Sequence, residues 1–228
     1  FAFIKAAKKN GAKFFSHTRV TGFRKTFNRI NIVKTDQGEI ETQMVVNAAG
    51  VHAAEIGALV DLEIPITPRR GQLVVTEAAE SVIGRCMLSA QYIAAKFNPD
   101  QAQKSGGVSI EPTANRNFVI GSTREFVGFN KGITLEGIHH IAKHVLRIVP
   151  CLKKLQFIRV FSGLRPYTPD GLPILGKVTG LPGFIMAAGH EGDGIALAPI
   201  TGRIIADLIV DNQTTFPLKE YNLERFSS

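Results

Sequence analysis

The chain has 228 residues, 44% of them hydrophobic, and a formal net charge of +8. That length allows one large domain or two small ones, and the apolar share supplies a core, which excludes a disordered chain. The basic excess is scattered; its densest clusters, Lys5–Lys13, Arg69-Arg70 and Lys153-Lys154, do not interleave with aromatics, which argues against a nucleic-acid groove.

The first segment, around Phe3, Ile4 and Ala7, reads as an amphipathic helix ending at Asn10-Gly11. The chain opens inside this pattern, without Met, and so reads as the later part of a longer protein. Ala12–Phe15 reads as a short strand. Val20–Phe27, Ile30–Thr35 and Glu39–Val46 follow, joined by tight turns at Asn28-Arg29 and Asp36-Gln37-Gly38. They predict an antiparallel meander. Its last strand runs into Asn47-Ala48-Ala49-Gly50, small residues before a helix over 52–60, where a ligand can lie against backbone.

Pro65 and Pro68 bracket a connector, and Arg69-Arg70 reads as a solvated turn before the strand Gln72–Thr76. Met87–Phe97 alternates in a way that predicts a strand, with Tyr92 and Lys96 on one face. Val108–Glu111 and Asn117–Gly121 predict a hairpin. Thr134 is the expected N-cap of a helix running to Val149, stopped by Pro150. Phe157–Leu164 is another strand, and Ile174–Gly176 a short one. Phe184–Ala188 is an apolar strand, and Gly189-His190-Glu191-Gly192-Asp193-Gly194 separates it from a helix over 195–210. The tail is polar, with Phe216, Tyr221 and Phe226 as anchors.

Strands crowd the middle and helices the ends, so the fold class is α+β, a mixed α/β organisation without regular alternation. No run of about 20 apolar residues predicts a membrane span. Two cysteines, Cys86 and Cys151, read as buried thiols in a reducing, cytoplasmic setting. His139-His140 and His144 offer helical i and i+4 imidazoles but no further ligand, so a polar face is expected and no metal. No G-x-S-x-G elbow, phosphate loop or G-x-G-x-x-G fingerprint is present.

Two features point toward a site. A helix starting behind the Gly189–Gly194 loop directs free N–H groups and its positive end at an anion or electron-rich carbonyl. An ordinary glycine-bearing turn fits that spacing equally well. Arg165, at the end of an apolar strand in Ser162-Gly163-Leu164-Arg165-Pro166, can grip a carboxylate bidentately, or pair with Asp170 at the surface.

Three blocks together resemble the C-terminal part of the FAD-dependent D-amino acid oxidase superfamily, in the glycine oxidase, sarcosine oxidase β-subunit and proline or hydroxyproline dehydrogenase branch. They are Thr18–Gly50 with Ile64–Gln72, Gly163–Gly176, and Gly189–Gly194 with Ala198-Pro199 and Gly202. The resemblance implies three segments. Residues 1–60 belong to an FAD-binding, Rossmann-like domain whose N-terminal portion is missing. Residues 61–160 form an antiparallel-sheet substrate domain, and 161–228 return to the FAD domain. It further implies that Val20 meets the adenine through its backbone and that Ala48, Ala49 and Gly50 lie beside the adenosine. Gly163, Gly189, His190, Glu191, Gly192, Asp193, Gly194 and Ile195 then line the flavin.

Arg165, with Tyr92, is expected to hold the carboxylate of a small amino acid such as glycine, sarcosine or proline. Its C–N bond would be oxidised by hydride transfer to the flavin, with no side chain assigned as catalytic base. FAD is the cofactor of the complete protein, bound weakly or not at all by this chain alone. The missing FAD-binding segment and partner subunits are the expected protein partners. Two other readings stay open: an assembly module that kept the fold without the chemistry, and a dehydrogenase of a hydroxy compound such as glycerol-3-phosphate. Departures from the family pattern are Val51-His52-Ala53 after the Ala-Gly turn, Asn115-Arg116-Asn117, and Glu191 and Asp193 in the loop. Two carboxylates beside a ring that gains electrons oppose its reduction unless they point away or find a partner.

Overall fold

The computed structural model describes residues 1–80, 83–97 and 107–227. It is a mixed α/β fold built on three sheets. Strands β1 (Val20–Thr26), β2 (Arg29–Thr35) and β3 (Gly38–Glu41) form the antiparallel meander. The first turn places Phe27 and Asn28 at φ +49° and +61°, the left-handed pair that a tight hairpin requires. The third predicted strand is divided. Thr42 Oγ1 donates to Met44 O at 2.8 Å, turning the chain out of the meander. β4 (Val45–Asn47) then enters a second sheet.

In that second sheet β4 pairs in parallel with β11 (Phe184–Ala188), which pairs antiparallel with β10 (Ile174–Lys177). A one-turn 3-10 helix (Gly50–His52) and α2 (Ala53–Ala58) follow β4. One face of this sheet packs Phe184, Met186 and Ile174 against Ile30, Ile64 and Ile66. The other packs Ile185 and Leu175 under Ile204, Ile205 and Leu208 of the long C-terminal helix, Gly194–Val210. Burial on both faces explains why Phe184–Ala188 reads as a continuous apolar run.

The third sheet has the order β6-β7-β8-β5-β9. Its members are β5 (Thr67–Thr76), β6 (Met87–Leu88), β7 (Ser109–Pro112), β8 (Phe118–Gly121) and β9 (Phe157–Tyr167). The boundary expected between 160 and 161 falls inside β9. Helix Leu135–Ile148 covers one face, with Ile141 and Val145 on Val74, Phe118 and Ile120. Thr134 caps it, its Oγ1 accepting from Gly137 N at 3.1 Å. We call the helices α1 (Ala2–Lys9), α2, α3 (Ala90–Phe97), α4 (Leu135–Ile148) and α5 (Gly194–Val210).

Several expectations are corrected. Ala12–Phe15 forms no strand, and Phe14 and Phe15 are exposed. Met87–Phe97 is a two-residue strand followed by α3. Ser89 caps that helix, its Oγ accepting from Tyr92 N at 3.1 Å, and Ala90, Gln91 and Ala94 favour helix over strand. The Lys96 side chain lies outside the described residues. Cys86 and Cys151 are both exposed, not core thiols. In the tail, Tyr221 and Phe226 pack against the cores while Phe216 stays exposed.

Candidate active site

Strand β5 carries two adjacent arginines to opposite faces of the third sheet, because side chains alternate along a strand. Neither is a solvated turn: Arg69 is 0% exposed and Arg70 4%. Arg70 faces α4 and is fully used. Its Nε donates to Glu125 Oε2 at 3.1 Å, its Nη2 to Glu125 Oε1 at 2.8 Å, and its Nη1 to Gly132 O at 2.8 Å. Gln72 and Thr123 also donate to Glu125, at 2.9 and 2.7 Å. Burial alone would raise the Glu125 carboxyl pKa. These donors, Arg70 first, outweigh it and hold the group below the usual carboxylate range. This network fixes the helix to the sheet.

Arg69 faces the other way, directly opposite Arg165 of β9 in the ladder. Its guanidinium lies over the Tyr167 ring, 4.4 Å from the centroid. Its Nη2 donates to Glu191 Oε1 in a short, fully buried ion pair. Among the described residues its Nε and Nη1 are buried with no acceptor.

Glu191 comes from the loop between β11 and α5. Gly189 at φ +84° and Glu191 at φ +51° bend that loop back over the sheet. The Glu191 N–H donates to Pro166 O at 3.2 Å, so the loop is tied to β9. The Glu191 carboxylate accepts from Gly192 N at 2.7 Å and stands 3.8 Å from Arg165 Nε. Burial opposes its ionisation, but the Arg69 hydrogen bond and the Arg69 and Arg165 charges hold its pKa below the usual range.

Arg165 lies across Gly71 and is mostly buried. Its Nη2 donates to Ser122 Oγ in a short bond and its Nη1 to Thr123 O at 3.2 Å. It does not pair with Asp170, which is held by Arg225 at 2.6 Å. Gly71 is open to one change with a clear outcome. A methyl group there overlaps the Arg165 guanidinium. Gly71→Ala is therefore expected to push the Arg165 guanidinium aside while altering thermal stability little; a crystal structure of the variant with Arg165 unmoved would refute this.

The predicted site residues thus divide. Arg165 and Glu191 meet Arg69, and Gly163 pairs with Gly71 two positions along the same ladder; Ile195 is almost fully exposed at the start of α5. Gly192 borders Arg165: a Cβ added there would lie 3.8 Å from its Nε. Tyr92 reaches the same region from α3, its ring 4.2 Å from the Arg124 guanidinium. His190 Nε2 is 2.9 Å from Thr201 Oγ1 on the far side of the loop. Burial lowers its pKa first, with Asp193 opposing. Ala48, Ala49 and Gly50 sit on the strand-to-helix turn, and His52, two residues on, stacks on Phe129 at 4.9 Å beyond β8. Val20 stands apart at the start of β1, in the meander. Arg69, Arg124 and Ser122 were missed; Arg69-Arg70 at the head of an apolar strand was the available signal.

Comparison with known proteins finds relatives along nearly the whole chain. The family described as "DAO: FAD dependent oxidoreductase" matches residues 1–208. Hydrogen cyanide synthase subunit HcnC of Pseudomonas aeruginosa is 34% identical over 219 residues, 95% of this chain and 48% of that protein. Glycine oxidase of Geobacillus kaustophilus is 29% identical over 96% of this chain and 54% of that protein. The crystal structure of L-proline dehydrogenase from P. horikoshii superposes with a TM-score of 0.89 at 30% identity, over 99% of this chain and 58% of that one. The chain spans about half the length of the curated relatives it matches.

Proposed function

Because the chain belongs to the DAO family of FAD-dependent oxidoreductases, we propose that the complete protein oxidises the C–N bond of a small amino acid. Glycine, sarcosine and proline are the substrate types. The observation that carries this reading is Arg165, a guanidinium held at the sheet edge beside the Gly189–Gly194 loop. Such a group recognises a carboxylate bidentately. The glycine oxidase and proline dehydrogenase relatives support the C–N chemistry.

The residues present fit a flavin. The loop has left-handed backbone at Gly189 and Glu191, and α5 begins without a side-chain cap hydrogen bond, so no capping side chain takes up its first N–H groups. A Cβ at Gly50 or Gly163 would meet nothing within 4 Å. In this reading Gly163 and Gly189–Ile195 hold the ring, Ala48–Gly50 and Val20 the adenosine end. The third sheet with Tyr92 forms the substrate side; the first 60 residues and the C-terminal strands and helix form the FAD side. FAD, when bound, supplies the hydride acceptor.

The chain's own part is binding, orientation and charge. Arg165 takes the substrate carboxylate, with Ser122 and Thr123 O fixing the plane of its guanidinium. The N-terminus of α5 presents its dipole to an electron-rich carbonyl. Glu191, held ionised by Arg69, is spent on orienting the arginines and is not a proton acceptor at neutral pH. Its negative charge, which alone would oppose reduction of a nearby ring, is cancelled locally by Arg69.

The test is anaerobic mixing of the complete flavoprotein with candidate substrates, followed by flavin absorbance. Glycine, sarcosine or proline is expected to bleach it. Bleaching by glycerol-3-phosphate alone would replace this reading with oxidation of a hydroxy compound.

A further inference from the structure

Arg124 has no part in the reading above. It follows β8, lines one cavity with Ser122, and is 7% exposed. Its guanidinium rests on the Tyr92 ring. Among the described residues it donates no hydrogen bond, and its Nε is buried without an acceptor. Arg70 shows what a structural arginine looks like in this protein: one carboxylate and one carbonyl, every nitrogen used. Arg124 has the burial without the partners. Burial lowers its pKa most; Arg165 and Arg69 lower it further, against the opposing effects of Tyr92 and Glu191.

The charges around it do not balance. Among the described residues acting on Arg124 are two more guanidiniums, Arg69 and Arg165, and one carboxylate, Glu191. Among the buried groups, three positive against one negative leave a surplus of two, where burial magnifies the cost; Glu125 nearby is neutralised by Arg70, and Glu136 is exposed to solvent. An amine that surrenders a hydride must carry its lone pair, so it is uncharged at that moment. A monocarboxylic substrate then brings one negative charge and leaves one cation unanswered. Beside Arg124 there is room for more: a cavity of about 320 Å³, lined also by Ser122, Glu136 and His140.

We propose that Arg124 is a second acid subsite, and that the protein takes an amine bearing two carboxylates, one on Arg165 and the other on Arg124. The proposal rests on the assignment of Arg165 to the substrate carboxylate. The second carboxylate can belong to an acidic amino-acid side chain or to a carboxymethyl group on the amine nitrogen. Both present the same anion to the same guanidinium.

Binding is measured apart from turnover by calorimetric titration of the complete flavoprotein with acetate, malonate and succinate, none of which carries an oxidisable amine. The dicarboxylates are expected to bind at least about tenfold more tightly than acetate. Arg124→Gln should bring that ratio close to one, and Arg124→Lys should keep part of it. Equal affinities in the wild-type protein overturn the subsite, whether or not either variant folds. Anaerobic flavin reduction by aspartate, glutamate and N-carboxymethylglycine, each against glycine, then separates a side-chain acid from an N-linked one. Faster reduction by glycine than by all three also overturns the proposal. Dicarboxylate binding that depends on Arg124, with no amine reducing the flavin, keeps the subsite and removes the amine-oxidation reading instead.

Discussion

Arg165→Met in the complete protein is expected to raise KM for its amino-acid substrate by about ten- to a hundredfold while kcat changes far less. A hydrogen bond to a charged group contributes about 1.5–3 kcal/mol, and each 1.4 kcal/mol is about tenfold in affinity. Arg165 offers two such bonds from a guanidinium already held by Ser122 and Thr123 O, so little ordering remains to be done on binding. Methionine fills the space over Gly71 but has no charge. Because the carboxylate is gripped alike before and during reaction, the loss falls on KM. Steady-state kinetics decides the matter; an unchanged KM removes Arg165 from the binding site.

Glu191→Leu should be the most damaging single change to stability. It strands Arg69, which is wholly buried and already has two nitrogens without acceptors. Breaking a buried ion pair from one side costs about 3–5 kcal/mol, whereas replacing both partners with apolar groups is often neutral. The double variant Arg69→Met/Glu191→Leu should therefore recover most of the loss. Urea unfolding with an unchanged slope measures both. A double variant no better than Glu191→Leu would show that the pair is not the cause. The same carboxyl gives a pH dependence. Its pKa is lower folded than unfolded. Its contribution is complete above the ordinary carboxylate pKa and is lost as pH falls through the depressed value. The leucine variant should lose that part of the acid sensitivity.

The elements with strong local signals were legible in the sequence. Thr134 before an apolar-periodic run, Pro150 after it, and the apolar strand–glycine loop–helix of 184–210 all predicted what forms. Met87–Phe97 was misread because Leu88, Ala90, Tyr92 and Ala94 alternate as a strand would. Ser89 as a cap, with alanines behind it, decided for helix. The meander's third strand was overextended because nothing in Glu39–Val46 announces that Thr42 turns the chain into another sheet.

Of the candidate site, the family blocks anticipated that Arg165 and the glycine loop belong together, and Arg165 and Glu191 do come close. The electrostatics of the site were not legible. Arg69 and Glu191 find each other across 122 positions, and Arg70 and Glu125 across 55. Which arginine of the Arg69-Arg70 pair is satisfied depends on strand parity. No local pattern reveals parity when both faces of the strand are buried.

The Arg69–Glu191 pair also constrains how this sequence can drift. Arg69 lies on a strand of the third sheet and Glu191 in the loop after β11, yet either can change alone only through an intermediate with a stranded buried charge. Substitutions at 69 and 191 are expected to be inherited together. A relative with a neutral residue at one of them should be neutral at the other.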